Sequence, residues 1–299
     1  MVVCDGSLRL SPSRCYQYPA SCPAPRCHPR SRPSWHSSLP GQAADQLKPW
    51  GTAFFVGVKD PKDEKRSFVY LVTAKHVLQD GDRKSWLPKV FLRLNTRNGD
   101  SGLIEIPIIP AGGNRTVFLH PQDSTADVAV IPALPDEKRF DFKFLPAEFL
   151  TSKKDFADLK IVEGSEVFFT GLFSPHVGTR RNYPVIRFGR VAMITDERVK
   201  FGDYEVDLYL VETGSYGGNS GAPVFFYLGS DREPGSLIVG PPVLKLAGVM
   251  SGTFLDIQPV RAVETAKIAV APSNMGIAAV VPAYKVLEIL AGPALAAQR

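Results

Sequence analysis

Gly51-Thr-Ala-Phe-Phe-Val-Gly-Val58 and Ser67-Phe-Val-Tyr-Leu-Val-Thr73 are aromatic and β-branched runs on either side of a charged turn, Lys59 to Arg66. Such side chains fit a pleated surface better than a helix, so the stretch reads as two strands of a hairpin. The same texture recurs at Lys89 to Leu94, Leu103 to Ile109, Asp127 to Ile131, Glu166 to Thr170 and Pro184 to Ile194. It continues at Glu205 to Thr213, Ala222 to Tyr227, Val243 to Met250 and Gly276 to Val281. Short strands parted by turn residues, with almost no helical period, indicate an all-β barrel or sandwich. Tyr284 to Leu290 departs from this: Val286, Leu287, Ile289 and Leu290 recur at helical spacing and form a short closing helix. Residues 135 to 160 are charged and unperiodic and read as the connection between two β halves.

Upstream of Trp50 the composition changes. Residues 1–45 mix Pro, Ser, Arg and Cys with few aliphatics, too little apolar surface to offset the entropy of ordering, and read as a disordered basic tail. Residues 1–50 hold six basic side chains against two acidic, hence all but one of the five net positive charges. The nearly neutral remainder disfavours a nucleic-acid surface, which needs a concentrated basic face. All four cysteines lie in the tail, so the main domain has no disulfide, as suits a reducing compartment or a large core. Cys22, Cys27 and His28 approach metal-ligand spacing, but no second cluster follows, so free thiols are the better reading and no metal or cofactor is expected. There is no apolar run of 18 residues and no apolar signal core after Met1, so no membrane span and a cytoplasmic location are expected.

Chemistry concentrates in Thr213-Gly-Ser-Tyr-Gly-Gly-Asn-Ser-Gly-Ala-Pro223, a glycine-rich turn around Ser220. Glycines on both sides of a serine allow tight, partly left-handed backbone and leave the hydroxyl accessible. Alone, it reads better as a tight turn between two strands. Two further stretches carry side chains that strands do not require: His76 just beyond Val72-Thr-Ala-Lys75, and Asp127 at the mouth of Val128-Ala-Val-Ile131. Singly they read as a strand-end histidine and a turn-capping aspartate. Together, the order His76, Asp127, Ser220 is one in which a nucleophile triad occurs. A serine hydroxyl needs an imidazole to take its proton, and the imidazole needs a carboxylate to fix its tautomer. Backbone N–H groups of Gly218 and Ser220 are candidates for an oxyanion hole, where one donor is worth roughly 3 kcal/mol. An α/β-hydrolase order is excluded, because no histidine follows His176.

Thr73-Ala-Lys-His-Val77, Asp127-Val-Ala-Val130 and Gly218-Asn-Ser-Gly-Ala-Pro223 resemble the three signature blocks of trypsin-like, chymotrypsin-fold serine peptidases. Cysteine-free blocks, Phe188-Gly-Arg-Val191 and Gly276-Ile-Ala-Ala-Val-Val-Pro282, look closer to the bacterial HtrA-like protease domain. The resemblance covers about residues 48–292. It implies two six-stranded antiparallel barrels in a domain spanning 46–299, the N-terminal one about 46–135 and the C-terminal one about 160–292, with the site between them. It also implies a primary pocket formed by Gly214 and Ser215 with the strand Val249-Met250-Ser251, which pairs with substrate backbone.

The chain departs from the pattern in three places. No PDZ domain is expected after the closing helix; Asn219 cannot form the ion pair of zymogen activation; and Gly214 replaces the pocket acid of trypsins, implying a small or apolar preferred residue. The segments Gly229 to Pro242 and Gln258 to Ser273 read as long connections able to gate the cleft. The resulting expectation is a serine endopeptidase acting on a protein or peptide, with His76, Asp127 and Ser220 catalytic. Its alternative is a catalytically silent or partner-activated peptide-binding module of the same fold. A third reading is a nucleic-acid-associated protein using the basic arm.

Overall fold

The computed structural model describes residues 2–5, 47–81, 83–110, 113–229, 240–261 and 268–299. The first half contains β1 (Val2–Asp5), β2 (Leu47–Gly51), β3 (Phe54–Asp60), β4 (Asp63–Thr73), β5 (Lys89–Asn95), β6 (Ser101–Pro107), β7 (Ala129–Pro132) and β8 (Leu145–Pro146). They form two four-stranded sheets, ordered β2-β1-β5-β6 and β7-β4-β3-β8. Among the described residues these sheets do not close into the barrel expected over 46–135. Between β6 and β7, Pro110 and Pro121 interrupt the chain and a single bridge, Phe118 to Val130, stands where a further strand would be. Proline has no N–H to give a ladder.

The segment read as a disordered tail is also corrected at its start. Val2–Asp5 pair with β2 and β5, with Val2 opposite both Gly51 and Leu92. Two β-branched residues beside otherwise unpaired edges account for this. The cysteine and histidine cluster at 22–28 lies outside the described residues.

The second half contains β9 (Glu166–Gly171), β10 (Val185–Met193), β11 (Val199–Phe201), β12 (Tyr204–Val206), β13 (Tyr209–Glu212), β14 (Pro223–Leu228), β15 (Val243–Arg261) and β16 (Ile268–Pro282). Six of them close a barrel in the order β10-β13-β16-β15-β14-β9. β15 and β16 run on past the barrel wall as a two-stranded arm, from Gly248 opposite Pro282 out to Arg261 opposite Ile268. This arm replaces part of the connection expected at Gln258 to Ser273; residues 230–239, within the other expected connection, lie outside the described residues. Between the halves, Leu145–Pro146 join β3 in parallel and Lys153–Asp158 form α1, started by a capping box of Ser152 and Asp155. α2 (Ala283–Ala291) and α3 (Pro293–Ala296) close the chain.

Period-two alternation assigns each strand's two faces to different cores. On β4 and β7, Val69, Leu71, Ala129 and Ile131 face the core of the first half, with Val90, Leu92 and Ile106 opposite. Tyr70, Val72, Val128 and Val130 point the other way and meet Leu246, Val249 and Val281 of the barrel and Val286, Ile289 and Leu290 of α2. The barrel interior is filled by Val167, Phe169, Val191, Val211, Val224, Phe226 and Val280. The middle core is thus the joint between the halves, and the site lies at its edge.

A charged cluster fastens the same joint. Lys285 of α2 contacts Asp123 at 2.8 Å and Asp207 at 2.6 Å, and Arg198 contacts Asp123 at 2.9 Å. Asp207 sits where the expected strand Glu205 to Thr213 divides into β12 and β13. Burial resists ionisation of Asp123, but Lys285 and Thr125 overcome it and hold the carboxyl well below its usual range. Such a group stabilises the fold above its unfolded pKa, about 3.9, and the contribution is lost as pH falls through the folded value. Lys285→Met leaves two crowded carboxylates with one arginine and should cost about 3 kcal/mol. A lowered urea midpoint at pH 7 with unchanged slope is the expected result; an unchanged midpoint would refute it.

Candidate functional site

β4 delivers His76 to the site. The strand ends at Thr73 and turns through a 3-10 helix, Lys75–Leu78, whose Val77 and Leu78 are fully buried and fix its seat. Asp127 enters from the loop before β7, held between buried Ala126 and Val128. Its Oδ1 accepts the His76 backbone N–H at 2.9 Å, and its Oδ2 lies 2.6 Å from His76 Nδ1. The Ser251 hydroxyl donates to the same Oδ2 at 2.6 Å. Burial opposes the charge on Asp127 most strongly, yet His76 and the hydrogen bonds from His76 and Ser251 hold its pKa below the usual value. The carboxylate therefore stays ionised and fixes the ring, leaving Nε2 as the outward nitrogen.

Ser220 stands on the turn before β14. Thr52, from the first half, threads this turn: its N–H donates to Ser220 O at 2.8 Å, its hydroxyl donates to Gly218 O at 2.8 Å, and the hydroxyl accepts from Leu172 N at 3.0 Å. Asn219, buried, holds the turn from within, donating to Leu172 O at 2.7 Å and accepting the Tyr216 N–H at 2.9 Å. Gly221 has φ +84°, and a Cβ there would lie 2.1 Å from Thr52 O. Gly218 has φ +94°, and a Cβ would lie 2.5 Å from Ser174 Oγ. Asn219 N donates to Tyr216 O and Gly221 N to Met250 O, whereas the N–H groups of Gly218 and Ser220 form no hydrogen bond among the described residues. Two neighbouring unpaired donors in a turn suit an anion or a developing oxyanion.

His76 and Ser220 line one cleft of about 670 Å³. Its walls include Trp50, Arg83, Arg187, Tyr216 and the Leu172–Pro175 segment. The Ser220 hydroxyl points to Ser251 O at 3.4 Å, and no hydrogen bond joins it to His76. Of the residues expected to form the primary pocket, Ser215, Val249, Met250 and Ser251 are buried behind the wall. Val249 and Met250 are fully buried, with side chains in the joint core and the barrel core. A bulge between Met250 and Gly252 shifts the register there, and Ser251 turns its hydroxyl to Asp127 instead of the cleft. Ser215 is buried, its carbonyl accepting from Asn274 Nδ2 at 2.7 Å. Gly214 is exposed, and a Cβ on it would lie 3.4 Å from an Arg187 guanidinium nitrogen.

Thr52 and Arg187 carried no sequence signal. A threonine near a strand start and a charged residue alternating along a strand both read as ordinary surface. Among the described residues no group of three His, Cys, Asp or Glu could hold a metal ion, and no helix is long and apolar enough to cross a membrane. No protein-family model matches the chain, and no curated protein sequence matches it. Among solved structures, the chain is similar to the apo crystal structure of the MamO protease domain from Magnetospirillum magneticum, with 14% identity over 80% of this chain and 95% of that one, at a TM-score of 0.40.

Proposed function

We propose that the protein is a serine endopeptidase that works through an acyl-enzyme. The observation that carries this reading is the 2.6 Å contact between His76 Nδ1 and Asp127 Oδ2 in the cleft that also holds Ser220. The Ser220 hydroxyl rotates from its long bond to Ser251 O toward His76 Nε2. As Oγ bonds to the scissile carbonyl carbon, its proton passes to Nε2 and the carbonyl electrons move onto oxygen, which the free N–H groups of Gly218 and Ser220 receive. Collapse breaks the carbon–nitrogen bond, and His76 returns the proton to the leaving amine. Water repeats the sequence on the ester and frees Ser220. Asp127 stays ionised throughout and stabilises the imidazolium.

A fluorophosphonate probe should label the wild-type protein and leave Ser220→Ala unlabelled. Equal labelling of the two would remove Ser220 from the chemistry. The rotation required of Ser220 favours one second reading, a peptide-binding module switched on by a partner protein. No turnover of diverse peptides by wild type, with peptide binding unchanged in Ser220→Ala, would select that reading.

A further inference from the structure

We infer that Arg187 makes the cleft selective for peptides carrying an acidic side chain, Asp or Glu, at the residue bound beside Ser220. This rests on the peptidase reading of the site and adds its substrate class. β10 alternates: Ile186, Phe188 and Arg190 are exposed, while Val185, Arg187, Gly189 and Val191 share the opposite face, on which Val191 is buried in the barrel. Arg187 therefore turns toward the barrel at its mouth, where it lines the cleft with Tyr216 and the Gly217–Ser220 turn.

Its surroundings leave the guanidinium unmatched. Arg190, three residues on, has Glu166 at 3.2 Å; Arg180 has Asp100 at 3.2 Å; Arg198 has Asp123 at 2.9 Å. Arg187 has neither a carboxylate nor a hydrogen-bond acceptor among the described residues, and its Nε is buried with no partner. Its one polar-face contact is the Tyr216 ring, 4.9 Å from the guanidinium carbon, which orients the plane without consuming its donors. A guanidinium without acceptors at a cleft wall has donors left for a ligand oxygen. The other charged groups on the wall are Arg83 and Asp80, and Asp80 already accepts from the Ser85 hydroxyl at 3.1 Å. An unpaired guanidinium lining the open cleft, in a wall with an excess of cations, fits a carboxylate. This departs from the uncharged preference expected from Gly214 alone: a glycine at that position leaves the space into which Arg187 reaches.

The test uses peptides identical except for one residue, Glu, Gln, Asp, Asn, Ala or Lys. Cleavage by wild type gives kcat/KM, and fluorescence anisotropy with Ser220→Ala gives affinity without turnover. Wild type should prefer Glu to its neutral isostere Gln by about tenfold or more, in cleavage and in binding. Arg187→Gln should erase that ratio, and Arg187→Glu should reverse it toward Lys, with circular dichroism verifying that each variant is folded. Equal handling of Glu and Gln by wild type, survival of the ratio in folded Arg187→Gln, or failure of all the peptides to bind would overturn the inference. Absence of fluorophosphonate labelling with an intact acidic preference in binding would sink the hydrolase reading alone.

Discussion

Asp127→Asn should lower kcat about 10⁴-fold while leaving the fold intact. The wild-type carboxylate accepts three hydrogen bonds, from the His76 backbone, from His76 Nδ1 and from Ser251 Oγ, the last two on one oxygen. An amide has a single acceptor oxygen. If that oxygen stays with the His76 backbone, its NH₂ group faces Nδ1 and forces the proton onto Nε2, the nitrogen that must be free to receive the Ser220 proton. If the amide flips, the backbone N–H and the amide donors oppose each other. The expected signature is a collapse of kcat with KM nearly unchanged, because the peptide is held by other walls of the cleft. Wild-type kcat in folded Asp127→Asn would remove the carboxylate from the mechanism.

Gly218→Ala should lower kcat by about 10²- to 10³-fold. At φ +94° a side chain is strained, and its Cβ would press on Ser174 Oγ at 2.5 Å and Leu172 Cδ2 at 3.0 Å. Relief comes most simply by rotating the peptide unit, which swings the Gly218 N–H out of the cleft. The Ser174 hydroxyl bond to Gly217 O, which belongs to the same peptide unit, would be lost with it. The cleft wall is otherwise retained, so peptide binding to the doubly substituted Gly218→Ala, Ser220→Ala protein should match that of Ser220→Ala. A full loss of binding in the double variant would mean that the turn had collapsed, and an unchanged kcat would mean that the N–H is not used.

Much of the strand plan was legible because β7 and the inner stretches of β3, β4 and β15 (69–73 and 246–251 in the last two) are buried on both faces, so runs such as Phe54-Phe55-Val56 announce themselves. The outer arm of β15 and β16 was not, since Asp256, Gln258 and Pro259 interrupt any apolar run and their pairing is made by backbone. That the described sheets of the first half do not close was hidden for a related reason: closure depends on whether the chain between β6 and β7 donates backbone N–H groups, which side-chain patterns do not report. At the site, the pairing of His76 with Asp127 could be foreseen from local contexts 51 residues apart. The pocket could not. A one-residue bulge beside Met250 decides which way Ser251 faces, and that register is invisible in composition. Arg187 was hidden by its own alternation, because a charged residue between apolar ones reads as solvent-facing unless the barrel's mouth is known.

Thr52 bears on the order in which activity can appear during synthesis. His76 and Asp127 belong to the first half and reach each other without the barrel, but the Ser220 turn is tied through Thr52 to that half by two hydrogen bonds, to Ser220 O and Gly218 O. A nascent chain emerges with His76 and Asp127 early and Ser220 late. The turn takes its final shape only when the barrel docks on the finished first half. Under the proposed mechanism, docking of the barrel is thus the step that completes the site.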